Sequence, residues 1–330
     1  MSRQTTLPQR KHRLAARDHE KKTPSSPFPN RYRLVVAACG GQGESLITFS
    51  KYAGVTGNVF AMNADGSEQR QITSAGGVQA HSTLTPDGVT VVYSQVNPDG
   101  SSIMSVPLTG GTPTELNRGS HWSLIPNVSP DGARIAFTSD VDGNYEIYTM
   151  AIDGSDVQQL TFTDPPTQHL GPKYSPNGSQ ILYATDQDET DPANEQDIWV
   201  MPTGGGTPTR LTTTINDRES RGWSPDGSRI VTQSVVNGVG QILVLNADGS
   251  GLKQITNIAA GTPVLSLGGI FPNMSGAVTP AWSPDGEWIA FASNHEGNYD
   301  IYLIHPDGSD MTRLTNSPEP ELSVGWGPLR

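Results

Sequence analysis

The chain has 330 residues, among them 36 Gly and 26 Pro, and only 16% are charged; this balance excludes a helical bundle or coiled coil and suits a turn-dense β protein. Residues 1–33 carry nine Lys/Arg against two Asp/Glu, while the remainder carries 12 against 31. The body is therefore strongly acidic, which excludes nucleic acid as a partner, because phosphate binding needs clustered Lys and Arg. No run of 18 apolar residues occurs, so no membrane-spanning helix is predicted.

Residues 1–44 lack apolar periodicity and are expected to form a disordered basic leader. Cys39 is the single cysteine, which rules out an intrachain disulfide. The text before it, "LVVAAC", resembles a bacterial lipobox, in which apolar and small residues precede a lipidated cysteine. Its apolar run, residues 34–38, is shorter than the roughly 7–15 residues of a signal-peptide core. The resemblance implies a lipid anchor at Cys39 and a periplasmic or cell-envelope location.

From residue 45 onward two phrases recur in step. The first is S-P-D-G, at Thr85-Pro86-Asp87-Gly88, Ser129-Pro130-Asp131-Gly132, Ser175-Pro176-Asn177-Gly178, Ser224-Pro225-Asp226-Gly227 and Ser283-Pro284-Asp285-Gly286, with a degenerate form ending at Pro328. The second is a D-G-S or G-G-T turn leading to Leu-Thr or Ile-Thr, as in "IDGSDVQQLT". Pro presets φ, Asp offers a local side-chain bond and Gly tolerates positive φ, so each phrase closes a hairpin. Between the turns lie strand-like runs such as "RIAFTS" and "IYTM". Four strands per copy, none able to bury its own faces, predict blades that cover one another radially. The expectation is one all-β domain over 45–330, a six-bladed propeller of four-stranded antiparallel blades. Residues near 323–326 should pair with strand 45–50 and close the ring.

The phrases "SPDGARIAFTSDVDGNYEIYTMAIDGSDVQQLT" and "SPDGEWIAFASNHEGNYDIYLIHPDGSDMTRLT" resemble the repeat of TolB-type β-propellers, shared with propellers of some peptidases and of oligogalacturonate lyases. The resemblance covers about residues 45–328 and does not include the α/β domain that precedes the propeller in TolB. It implies a non-enzymatic module, expected as a monomer, that binds a protein or peptide partner at the channel mouth.

Residues about five to nine before each repeat proline are expected to reach that mouth: His81, His121, Trp122, Gln168, His169, Arg218, Glu219, Ser220, Arg221, Thr279 and Glu321. Phe271 belongs to an apolar insertion, residues 259–280, that reads as a lid, a partner contact or packing between blades. The alternative is a metal-dependent polysaccharide lyase or another carbohydrate-active propeller. The likeness to oligogalacturonate lyases implies a divalent ion such as Mn²⁺ held by His81, His121, Gln168 and His169. The acidic stretches 186–197 and 140–146 offer oxygen ligands of the kind Ca²⁺ takes, without the spacing of an EF-hand. A purely structural repeat domain is the third reading. No G-x-S-x-G or H-E-x-x-H is present, which argues against a peptidase.

Overall fold

The computed structural model describes residues 45–117, 121–186, 196–213, 215, 221–261 and 275–328. The leader with Cys39, and likewise Arg218, Glu219, Ser220 and Phe271, lie outside the described residues. All 24 elements among the described residues are strands. The first repeat holds β1 (Ser45–Ala53), β2 (Thr56–Asn63) and β3 (Arg70–Gln71). The second holds β4 (Val78–Leu84), β5 (Thr90–Asn97), β6 (Gly100–Pro107) and β7 (Thr114–Glu115), and the third β8 (Ser123–Val128), β9 (Arg134–Ser139), β10 (Glu146–Ala151) and β11 (Gln158–Gln159). The fourth holds β12 (His169–Tyr174), β13 (Gln180–Thr185), β14 (Asp197–Pro202) and β15 (Thr209–Arg210). In the fifth are β16 (Arg221–Trp223), β17 (Arg229–Val236), β18 (Val239–Asn246) and β19 (Lys253–Gln254). The sixth has β20 (Ala277–Trp282), β21 (Ile289–Ser293), β22 (Asp300–Ile304) and β23 (Thr312–Arg313), and β24 (Glu321–Pro328) ends the described chain.

Each repeat is pinned by its turn phrase. The Ser or Thr hydroxyl donates to the Asp or Asn two residues on, in all five copies. The same oxygen accepts the backbone N–H five residues ahead, at the start of the next strand. The glycines that follow sit at φ between 70° and 73°, a region that L side chains other than Asn and Asp rarely adopt. The threonine of the second phrase closes the outer edge. Thr73, Thr161, Thr212, Thr256 and Thr315 each accept, at 2.9 Å, the N–H of a residue on the strand next to the outermost one of the same repeat. Asn117 does this in the second repeat.

The propeller closes as expected at its ends. Strand β24 pairs antiparallel with β1, bringing Ile47 opposite Trp326 and Lys51 opposite Glu321. The innermost strands touch in a ring, β24 with β4, then β8, β12, β16, β20 and back to β24. The apolar core is correspondingly divided into clusters between neighbouring repeats. Val92 and Ile103 pack with Ile135 and Phe137, for example, and Val231 and Ile242 with Ile289 and Phe291.

One expectation needs correction. The described residues form four separate four-stranded blades, not six; the other eight strands form one sheet. The cause is local. Gly57 pairs in parallel with Val78, because a strand edge without a side chain lets the neighbouring backbone approach, and this joins β2 to β4. Gly240 and Gly276 make the same kind of parallel bridge between the fifth and sixth repeats without merging their sheets.

Candidate functional site

The inner strands set the geometry of the channel. Five of them carry a residue at positive φ five positions before the repeat proline: His81, Ile125, Gly171, Thr279 and Ser323, with φ between 52° and 60°. At each the ladder with the adjoining strand slips by a bulge. Left-handed backbone at a non-glycine residue is costly and persists where neighbours over-determine it. Here they do. The N–H of Ile125 donates to Ser94 Oγ at 3.0 Å, that of Gly171 to Thr138 Oγ1 at 3.0 Å and that of Thr279 to Gln233 Oε1 at 2.9 Å, always on the second strand of the preceding repeat.

The bulge splits the expected mouth residues into two classes. Positions seven before the proline turn into the seams between repeats: Gln79, Ser123, His169, Ala277 and Glu321 are all buried. Of the expected mouth residues, His169 and Glu321 are thus among the buried ones. His169 is 1% exposed; its Nε2 lies 3.7 Å from Glu146 and its ring meets Tyr183 edge-on at 5.4 Å. Burial pushes this imidazole below the usual histidine range, against the opposing pull of Glu146 and Asp186. Glu146 accepts from Thr161, Thr163 and Asn144. Glu321 meets the Lys51 ammonium at 2.8 Å, while burial raises its carboxyl above the ordinary value.

Positions five and three before the proline lie at the bulge of the innermost strands and just beyond it. His81 lies at its bulge, and burial, followed by the charge of Lys173, takes its imidazole down to about 3. The Lys173 ammonium on β12 thus acts on a ring of β4, although β8 lies between these strands in the circle. Asn127, at the equivalent place on β8, accepts the N–H of Tyr174 at 2.8 Å.

Mouth residues further out are held by a device the sequence reading missed. The N–H of Trp122 donates to Asp140 Oδ1 at 2.7 Å, that of Gln168 to Asp186 Oδ1 at 2.7 Å and that of Gly276 to Asn294 Oδ1 at 2.8 Å. The available signal was an Asp or Asn ten residues after the repeat proline. His121 precedes β8, and its carbonyl accepts the N–H of Ser101. Arg221 opens β16. Lys173 was missed as well, since it lies inside the five-residue limit of the sequence window.

The proposed metal ligands do not meet in one place. His81 sits at the channel bulge of the second repeat, His169 in the seam between the third and fourth, and His121 beside a cavity between the second and third. Among the described residues no group of three or more His, Cys, Asp or Glu is gathered to hold an ion. Of the acidic stretches, Asp140 caps Trp122, Asp142 accepts from the Tyr148 hydroxyl at 2.7 Å and Asp197 pairs with Arg210; residues 187–195 lie outside the described residues.

The sequence profile of the TolB beta propeller domain matches residues 34–193. The chain is 30% identical over 223 residues to the uncharacterized protein Atu1656 of Agrobacterium fabrum, covering 63% of this chain and 67% of that one. It is 26% identical over 219 residues to the uncharacterized peptidase YuxL of Bacillus subtilis, spanning 63% of this chain but only 28% of that protein. Among solved structures, TolB from Acinetobacter baumannii superposes with a TM-score of 0.73 at 19% identity, covering 89% of this chain and 70% of the other. An oligogalacturonate lyase from Vibrio parahaemolyticus matches with a TM-score of 0.51 at 13% identity, covering 75% and 83%; the last two likenesses concern the fold alone.

Proposed function

We propose, from the premise that the chain belongs to the TolB-type β-propeller family, that it is a non-enzymatic module binding a protein or peptide segment at the channel mouth. The observation that carries this reading is the contrast between scaffold and rim. Turn residues, bulges and threonine staples repeat around the ring, whereas the residues five and three before the proline vary among the copies. Five before the proline stand His81, Ile125, Gly171, Thr279 and Ser323; three before it stand Thr83, Asn127, Lys173, Gly222, Ala281 and Gly325. A rigid ring whose inner strands carry dissimilar groups suits an asymmetric ligand, such as a peptide, whose successive groups differ. Loops that carry distinct residues on a fixed scaffold are also where binding is concentrated in propellers and solenoids.

We infer six structural repeats, the eight-stranded sheet being two of them joined at Gly57. The bacterial cell envelope is the inferred location, with Cys39 as a lipid anchor; replacement of Cys39 by Ala should then move the protein from the detergent phase to the aqueous phase. The test of the binding reading is selection of peptides from a displayed library against the full chain, followed by titration of the selected peptide into Lys173→Glu and Gln168→Ala variants. Loss of affinity in both supports the mouth as the site, and peptides indifferent to both changes would remove it.

A further inference from the structure

Between the second and third repeats, at the face where β8 begins, lies a cavity of about 180 Å³. Its walls include Ser101 of β6, Ser123 of β8 and Ser139 of β9, and the aromatic rings of Phe137 and Tyr148 line it, stacked on each other at 5.8 Å. Val141 and Val157 line it as well and are 42% and 53% exposed. Asn117 and His121 complete the lining. Asn117 Oδ1 accepts the N–H of Ile103. Its amide nitrogen and the His121 imidazole make no hydrogen bond among the described residues.

The molecule itself contains the filled version of this place. In the sixth repeat Phe291 and Tyr302 stack at 5.7 Å, just as Phe137 and Tyr148 do. There, however, the position matching Val141 is His295. Its imidazole lies 4.9 Å from the Tyr302 ring and bonds the Ser293 hydroxyl through Nδ1 at 2.9 Å. Ser293 corresponds to Ser139 and Met311 to Val157 in the repeat phase. Arg313 and Glu296 complete that cover with an ion pair at 3.1 Å, Glu296 also accepting from the Tyr302 hydroxyl. In the third repeat the position of Arg313 is taken by Gln159, whose side-chain amide turns to the Thr161 carbonyl. The same aromatic floor is thus covered by a ring in one repeat and left open in the other.

We propose that the cavity between the second and third repeats is a binding site for one aromatic side chain of a peptide, which takes the place that His295 occupies in the sixth repeat. An apolar cavity of roughly 150 Å³ accepts a benzene ring, so the volume suffices for a phenol-sized group. Aromatic rings meet such a floor by offset or edge contacts. The amide of Asn117 and imidazole of His121 at the rim can bond the peptide groups on either side of the ring, as polar groups at the edge of apolar pockets do. The source of the ring rests on the peptide-binding reading of the mouth, to which His121 also belongs; the site itself does not.

The experiment titrates N-acetyl-tyrosinamide and p-cresol separately into the full chain, observed by saturation-transfer NMR, and repeats both with V141H and V141W. Thermal unfolding of each variant shows that it is folded. The expected result is binding of the amide with Kd on the order of 1 mM, the range for a ligand of this size. V141H, which rebuilds the cover of the sixth repeat, should weaken it at least about tenfold without lowering the melting temperature, and V141W should do likewise. Equal affinity for wild type and both variants, or no binding of the amide, would overturn the proposal. Binding of p-cresol without the amide would overturn the peptide source and assign the cavity to a free aromatic compound. None of these readouts uses a mouth partner, so failure here is distinguishable from failure of the mouth reading.

Discussion

Ring closure by β24 can be tested with one side chain. Leu322 on β24 is buried and packs in the cluster that joins Ile47 and Phe49 of the first repeat to Ile301 and Leu303 of the sixth. Replacing a buried Leu by Ala costs about 2–5 kcal/mol through lost transfer energy and the cavity left behind. Taking about 3 kcal/mol, and about 2–4 °C per kcal/mol for a domain of 150–250 residues, the melting temperature should fall by roughly 6–12 °C. Deleting residues 321–330 should do far more. It removes the ladder to β1, leaves Lys51 without the Glu321 carboxylate and takes away the Trp326 indole that donates to Ser45 Oγ at 3.1 Å. With several bonds at about 1 kcal/mol each added to the apolar loss, the deficit is comparable to the ~5–15 kcal/mol that holds an ordinary domain together. Thermal unfolding followed by circular dichroism is the assay. A deletion variant that melts within about 2 °C of the full chain would refute closure through this strand.

His81 makes stability depend on pH in a defined window. Its folded-state value, about 3, lies below the unfolded value of about 6.5, so the unfolded chain takes up the proton first as pH falls. The stabilisation is whole above about pH 6.5 and is lost progressively toward pH 3, amounting to about 2 kcal/mol by pH 5. His81→Asn, which tolerates the left-handed backbone, should flatten urea-melt stability between pH 6.5 and 5 relative to wild type; identical slopes would exclude His81 as the source. Asp226, held down to about 2 by Ser224, should add a further loss below about pH 3.9. Metal analysis of chelator-stripped, reloaded full chain should find under ~0.2 equivalents of Mn²⁺, Ca²⁺ or Zn²⁺, a threshold set by order of magnitude. A stoichiometric ion lost when His81, His121 and His169 become Ala would instead move the reading to a lyase, checked by formation of ultraviolet-absorbing unsaturated uronate.

The parts of this molecule written in turn chemistry were legible in the sequence. Ser129-Pro130-Asp131-Gly132 and its copies mark hairpins because each residue has a local task, and Thr161 and its counterparts are fixed in spacing to the strands they staple. The pairing of β24 with β1 was legible for the same reason, as the halves of one repeat stand at the two ends. The orientation of the mouth residues was not. Strand alternation alone would place His169 and His81 by counting, but the bulge at Gly171 or His81 shifts the count. The groups that stabilise the bulge, such as Thr138 and Gln233, lie on another repeat and more than 30 residues away. Nor did the turn phrases announce that Gly57 would join β2 to β4 in one sheet. The open cavity was written in the sequence only as the contrast of Val141 with His295, which acquires meaning once Phe137 and Tyr148 are known to lie beneath it.

The most direct test of the mouth as a peptide-binding site is the affinity of a library-selected peptide for the full chain and for Lys173→Glu, measured by calorimetry at one salt concentration. Reversing a charge inside the channel should weaken the peptide at least about tenfold, which corresponds to about 1.4 kcal/mol, while the melting temperature stays near that of wild type. A selected peptide that binds both proteins equally would contradict the account.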